Sequence, residues 1–289
     1  YYKELQDLLG GDFYLNLNQF ADQQHVPNAQ YNQYDLNTPD RLIREGDKYN
    51  YHYFLRQHQY LSWLQGILTL NRLDIFLAAK GSWQHFSREG LFRSGLFPED
   101  SYGKADPQSY TTYGIKGGIT WKISGRNYIF LNGAAGTEAP ASDHTYISIR
   151  TRNQTVTKPV VQSYSSVEGG YLLKAPHQKA RLVGYLTNIT GVTEIKRFYN
   201  DDPAFRTFVN YLIQDAGMRF AGLELALEAS LHSTLSIVGV AALGRSFYTN
   251  NPSVSIYRDN DTTTVPRSRS VYIRNHDLAA GPKNAYSLG

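Results

Sequence analysis

Long segments of strict two-residue alternation constrain this chain more than anything else in it. From Tyr113 to Ile123, one side carries Tyr113, Ile115, Gly117, Ile119, Trp121 and Ile123. The other carries Gly114, Lys116, Gly118, Thr120 and Lys122. Period two places successive side chains on opposite faces of a strand, so the segment predicts a ribbon with one greasy and one wet side. Leu73 to His85 repeats the pattern: Leu73, Ile75, Leu77, Ala79 and Trp83 oppose Asp74, Ala78, Lys80, Ser82 and Gln84, with Phe76 out of place. In Ser163–Leu173, Val167, Gly169, Tyr171 and Leu173 oppose Ser166, Glu168 and Gly170. Gly217 to Leu231 sets Leu223, Leu225, Leu227 and Leu231 against Glu224, Ala226, Glu228 and Ser230. Its spacing by four also fits a helix of good helix formers, and its strand neighbours favour a strand. Tyr51–Leu70, Tyr128–Thr137, Ala180–Ile189 and Leu235–Tyr248 alternate less cleanly, and the last residues, Asn284–Gly289, read as part of a strand.

The connections between these segments alternate in length. Short ones fall at Asn71-Arg72, Ser124–Asn127, Pro176–Lys179 and His232–Thr234. Long ones span Ser87–Ser109, Glu138–Gln162, Thr190–Asp215 and Asn250–Arg274. Antiparallel strands joined short, long, short, long place every long loop at one end, as in outer-membrane barrels with tight periplasmic turns and long extracellular loops. No stretch approaches the roughly 20 apolar residues of a membrane helix; the longest apolar run, Leu235–Leu243, is broken by Ser236 and Gly239. A barrel strand needs only about 9–11 residues.

Composition narrows the classes further. The absence of Cys removes disulfides, Cys-ligated zinc, iron–sulfur clusters and a thiol nucleophile. A net charge of +4 is too small to argue for nucleic acid. The 23 Tyr suit half-wet places such as sugar sites, interfaces and membrane boundaries. Trp121 falls just before a short turn, while Trp83, Phe247 and Tyr248 fall just before long loops. Trp83, Trp121 and Tyr248 are therefore expected in the interfacial aromatic girdles, although large aromatics end strands in other β proteins too.

Several of these runs, taken in order, resemble one family. Tyr113-Gly114-Ile115-Lys116-Gly117-Gly118-Ile119-Thr120-Trp121-Lys122-Ile123, then Gly125-Arg126-Asn127-Tyr128 and Asn132-Gly133, resemble a strand–turn–strand of TonB-dependent outer-membrane receptors. Ala139-Pro140 followed by Ile147–Gln154 resembles the next segment, as do Ser166–Tyr171 and Phe208–Tyr211. The similarity is greatest to the branch with a carboxypeptidase-regulatory-like domain ahead of the plug. It implies a 22-stranded transmembrane antiparallel β-barrel with a plug in its lumen, driven by the TonB complex. About nine strands are legible, so residues 1–289 are expected to be part of one barrel domain, without the plug, the TonB-contacting segment or the final strands. The implied function is uptake of a siderophore, vitamin, glycan or peptide across the outer membrane of a Gram-negative bacterium. The expected partners are outer-membrane lipid, the plug, the TonB complex and a small or oligomeric ligand, with no nucleic acid. The alternatives are a secreted β-rich carbohydrate-active enzyme and a soluble sugar-binding module.

Candidate site residues follow from chemistry. Arg150 and Arg152 with Asn153 lead down from a long loop, and Arg offers a fork of donors for carboxylate, phosphate or sugar hydroxyls. A clamp on the plug is the plainer role for them. The loops add Arg93, Tyr102, Arg197, Phe198 and Tyr199, the usual makings of a binding surface, or of loop packing. Lys116, Lys122, Glu168, Glu224 and Glu228 either line a path or hydrate the interior. His52 and His58 share a strand face but stand too far apart to chelate one ion. Asp201-Asp202 is at most half of a carboxylate pair, and Asp259-Asn260-Asp261 lacks the Gly and distal Glu of an EF-hand loop. No catalytic residue, metal site or cofactor is assigned, and an enzyme is not expected.

Overall fold

The computed structural model describes residues 33–39, 46–48, 51–156, 159–200, 207–261, 266–279 and 281–289. Asp201-Asp202 lies outside them. Twelve strands form one antiparallel sheet among the described residues. They are β1 (Tyr53–Thr69), β2 (Leu73–Gly90), β3 (Gly103–Lys104), β4 (Gln108–Lys122), β5 (Asn127–Glu138), β6 (Gln162–Lys174), β7 (Gln178–Asn200), β8 (Thr207–His232), β9 (Leu235–Tyr248), β10 (Ser253–Arg258), β11 (Arg269–Ser270) and β12 (Asn284–Leu288). One short helix, α1, spans Ser142–Thr145. The path runs β1-β2-β4-β5-β6-β7-β8, and the sheet does not close. The twelve strands exceed the nine read from sequence because β3, β10 and β11 lie inside the expected long loops.

Register settles the faces. Ile75, Ile119, Leu131 and Gly169 lie side by side on consecutive strands, as do Leu182, Leu225 and Ala241. The apolar residues of eight long strands thus share one face, and among the described residues nothing covers them: Leu77 is 67% exposed, Leu131 58% and Leu223 54%. The opposite face carries Asp74, Lys80, Lys116, Lys122, Glu168, Glu224 and Glu228. Cross-strand pairs lace it: Lys122 Nζ lies 2.6 Å from Asp74 Oδ1, Asn132 donates to Glu168 at 2.8 Å, and Lys179 meets Glu228 at 2.9 Å. Helical Gly217–Leu231 is thereby excluded, since all of it lies in β8.

Phe76 breaks the sequence alternation because it occupies the polar face over a glycine. A Cβ on Gly118 would stand 2.4 Å from the Phe76 ring, so only glycine leaves the ring room. Phe130 repeats the arrangement over Gly170, where a Cβ would meet the ring at 2.8 Å and the Leu182 carbonyl oxygen at 2.3 Å. At the two ends of the sheet the alternation fails differently. Leu61, Trp63 and Ile67 of β1, and Val238 and Val240 of β9, put exposed apolar side chains on the otherwise polar face.

The long third loop expected at Thr190–Asp215 is instead mostly strand: β7 runs on to Asn200 and β8 begins at Thr207. The hairpin leaves the sheet at a bulge, where register shifts on either side of Val192 and where Gly191 and Asp215 take positive φ. There β8 exchanges partners, β9 along Met218–His232 and β10 along Val209–Gln214. Asn250 fastens the exchange, donating to Asp215 O at 2.6 Å and accepting from Gly217 N at 2.8 Å. The best-buried residues gather at this end. Phe86, Tyr110 and Tyr146 form one cluster; Ile147, Val156, Ile195 and Leu212 form another.

Candidate functional site

The long-loop end is built around Arg88. Continuing the even-numbered set Ser82, Gln84 and Phe86 puts it on the polar face of β2, where it is 2% exposed. Its guanidinium donates to Ile149 O at 2.7 Å, Ser101 O at 3.1 Å and Arg150 O at 3.4 Å, and also to Asn153 Oδ1. The Arg88 amide donates to the Tyr146 hydroxyl at 3.0 Å. One buried cation therefore ties residues 97–103 to residues 145–153, its hydrogen bonds going to backbone carbonyls and Asn153 while Asp100 acts on it electrostatically. The sequence reading missed Arg88, although its parity on β2 marks it.

The expected site residues divide. Asn153 is spent on structure: it accepts from Arg88, and its Nδ2 stands 3.5 Å from the carbonyls of Tyr102 and Gly103. Arg152 is 5% exposed, with its guanidinium 4.4 Å from the Phe97 ring centroid. Burial pulls its pKa down, while Asp259, Asp100, Tyr257 and Asp261 pull it up. Asp100 shares that environment, its carboxyl raised by burial against the Gln154 amide and the Arg152 and Arg88 charges. Arg93 sits apart, donating to Pro98 O at 2.9 Å and Glu99 at 2.7 Å. Tyr102 is exposed.

Arg150 and Arg197 come together. On the projecting hairpin Arg197 stands opposite Asn210, and Tyr199 opposite Phe208. Phe198 falls between them on the other face, against Tyr211. The Arg150 guanidinium rests 4.7 Å from the Phe208 ring centroid and 5.9 Å from that of Tyr51. Tyr199 packs edge-on to Phe208 at 5.3 Å. Arg197 Nη2 donates to Asp143 O at 2.7 Å. Burial lowers the Arg197 pKa first; Asp143 raises it and Arg150 lowers it, which puts the two cations within electrostatic reach. Asp259 also acts on Arg197, but its Oδ1 already accepts from Asn210 Nδ2 at 2.7 Å. This cluster is the candidate site. Tyr51 was not foreseen as a member.

Of the expected girdle aromatics, Trp83 and Trp121 lie on the apolar face, Trp83 against Tyr60 at 5.7 Å. Parity gives Tyr248 to the opposite face, beside Met218, and leaves Phe247 in the apolar set. Among the described residues no group of three or more His, Asp or Glu is placed to hold a metal. No family model matches the chain, and no curated protein matches it.

Proposed function

We propose that the chain is part of a transmembrane β-barrel from an outer-membrane uptake receptor similar to the TonB-dependent receptors. The observation that carries the barrel is the uncovered apolar face, continuous across eight strands. A soluble protein rarely exposes a contiguous apolar patch beyond a few hundred Å². Lipid makes such a face favourable. From Leu73 to Trp83 the apolar stretch of β2 runs roughly 33 Å along the strand, or about 25 Å vertically at the usual barrel tilt, which matches a bilayer's apolar band. Above it the same face turns polar at His85, Ser165, Asn188 and Arg219, where headgroups would begin.

The assignment to uptake receptors rests on the succession of motifs from Tyr113 to Tyr211. In this reading the long-loop end faces the exterior and captures ligand. The polar face looks into the lumen, and a lumen-filling domain covers Leu61, Trp63 and Ile67. The outer edge of β1 has no partner strand among the described residues, and in lipid further strands must pair it, because every backbone group there needs a partner.

Heat modifiability tests the barrel. The full-length protein that contains this chain should require detergent for extraction and migrate differently on a gel before and after boiling. Solubility without detergent, with a single mobility, would refute it, and glycan binding by that soluble form would favour the sugar-binding module.

A further inference from the structure

The Arg150–Arg197 pair carries an inference that rests on the uptake reading and narrows its ligand. Guanidinium groups are usually held by their edges, through N–H donors on carboxylates or carbonyls. Arg150 is held the other way. Its planar group lies against the rings of Phe208 and Tyr51, and among the described residues its N–H donors meet no acceptor. Its backbone is fixed from below, since Arg150 O accepts from the buried Arg88. The donor fork is thus positioned and unspent. Arg197 is anchored by one nitrogen on Asp143 O, and among the described residues it forms no ion pair with a carboxylate.

The two guanidiniums repel each other and Asp143 and Asp259 act on Arg197 in the opposite sense, yet among the described residues neither carboxylate group is hydrogen-bonded to either arginine: Asp259 accepts from Asn210, and Asp143 contacts Arg197 through its backbone carbonyl. An oxyanion between the two forks would remove the repulsion and satisfy the donors at once, with the bidentate geometry that Arg favours. Beside the pair, Tyr199 and Phe208 offer partly exposed ring surface for an apolar portion of the same molecule.

We propose that Arg150 and Arg197 form a subsite for the carboxylate or phosphate group of a small organic ligand, with Tyr199 and Phe208 packing against the rest of it. Arg88 is a positioning residue for this subsite.

The test is calorimetric titration of the full-length protein that contains this chain, in detergent, with two probes, citrate and inorganic phosphate, at low ionic strength. Binding of at least one is expected. Preference for citrate identifies a carboxylate ligand, and preference for phosphate a phosphorylated one. Arg150→Gln and Arg197→Gln should each weaken binding by about tenfold or more. Arg150→Lys keeps the charge but loses the fork, so it should recover only part of the affinity. Unchanged heat modifiability in each variant shows that the fold survives. No binding of either probe by the wild-type protein, or equal binding by the Arg150→Gln/Arg197→Gln double variant, overturns the subsite. A protein that inserts into lipid but binds neither anion refutes only the subsite. A protein that binds citrate through both arginines yet stays soluble without detergent refutes only the uptake reading.

Discussion

Replacing Leu223 with Arg separates lipid from water as the medium around the apolar face. Leu223 lies mid-strand on β8, flanked by Gly184 of β7 and Leu243 of β9, and is 54% exposed. In water such a substitution touches no packed neighbour and should shift stability by no more than about 0.5 kcal/mol. In a bilayer the guanidinium would sit near the midplane, at a cost of about 2–4 kcal/mol. That range corresponds to roughly 30- to 900-fold in the folding equilibrium. The two media therefore differ by more than the error of the measurement. The assay is urea unfolding of the full-length protein that contains this chain, refolded into phospholipid vesicles and followed by tryptophan fluorescence and gel mobility. Glu224→Gln, one residue along and on the opposite face, is the control, and should stay within about 0.5 kcal/mol. A neutral Leu223→Arg in vesicles, or a cost shared equally by both substitutions, would refute the assignment of the apolar face to lipid.

Two further outcomes follow from packing. Gly170→Ala should destabilise the sheet by about 1–3 kcal/mol, because its Cβ would press on a backbone carbonyl and on the Phe130 ring. Gly133→Ala, whose nearest neighbour is Ser166 O at 3.8 Å, should be mild, and equal costs in urea unfolding would contradict this account. Arg88→Met should leave three carbonyls and Asn153 without their donor, costing about 3 kcal/mol locally. Limited proteolysis should then cut faster within 97–103 and 145–153 while β4–β6 stay protected; an unchanged cleavage pattern would show that Arg88 does not hold the loops.

The sheet was legible where one face is wet and the other greasy. Tyr113–Ile123 alternates in sequence because each face meets a single medium, and the turn at Ser124–Asn127 is read from residues that build it: Ser124 Oγ accepts from the amides of Arg126 and Asn127, each at 3.2 Å. The projecting hairpin was not legible, because alternation needs two different environments. Ile195 and Leu212 are buried on one side of it, while Phe198, Tyr211 and Ile256 put apolar rings and chains on the other. With Arg197 and Asn210 beside Ile195 and Leu212 on one face, and Glu194 and Lys196 beside Phe198 and Tyr211 on the other, both faces mix polar with apolar and the segment carries no period-two contrast. Arg150 and Arg197 were both named from sequence as loop arginines. Their meeting was not, because 46 positions separate them and the bulge at Val192 sets the angle of approach. Asn153 shows the reverse: a residue suited to ligand contact is consumed in holding Arg88.

The distribution of burial separates the molecule into two regimes. Its largest fully buried side chains, among them Arg88, Tyr146, Phe86, Ile147 and Leu212, lie at the long-loop end. Along the long strands the apolar face has no second layer among the described residues, and in the proposed barrel lipid would bury it. The loop end packs against itself instead, through Arg88, the Tyr146 cluster and the β7–β8 hairpin. Hydrophobic stabilisation scales with apolar area removed from water, whether by protein or by lipid. In the proposed barrel the sheet's share of it would come from detergent or bilayer, whereas the loop end's share comes from its own packing. A binding site placed at the loop end keeps its geometry independent of the lipid around the strands. That would suit, in the proposed receptor, a surface that must hold its shape while facing water on a scaffold whose apolar face meets lipid.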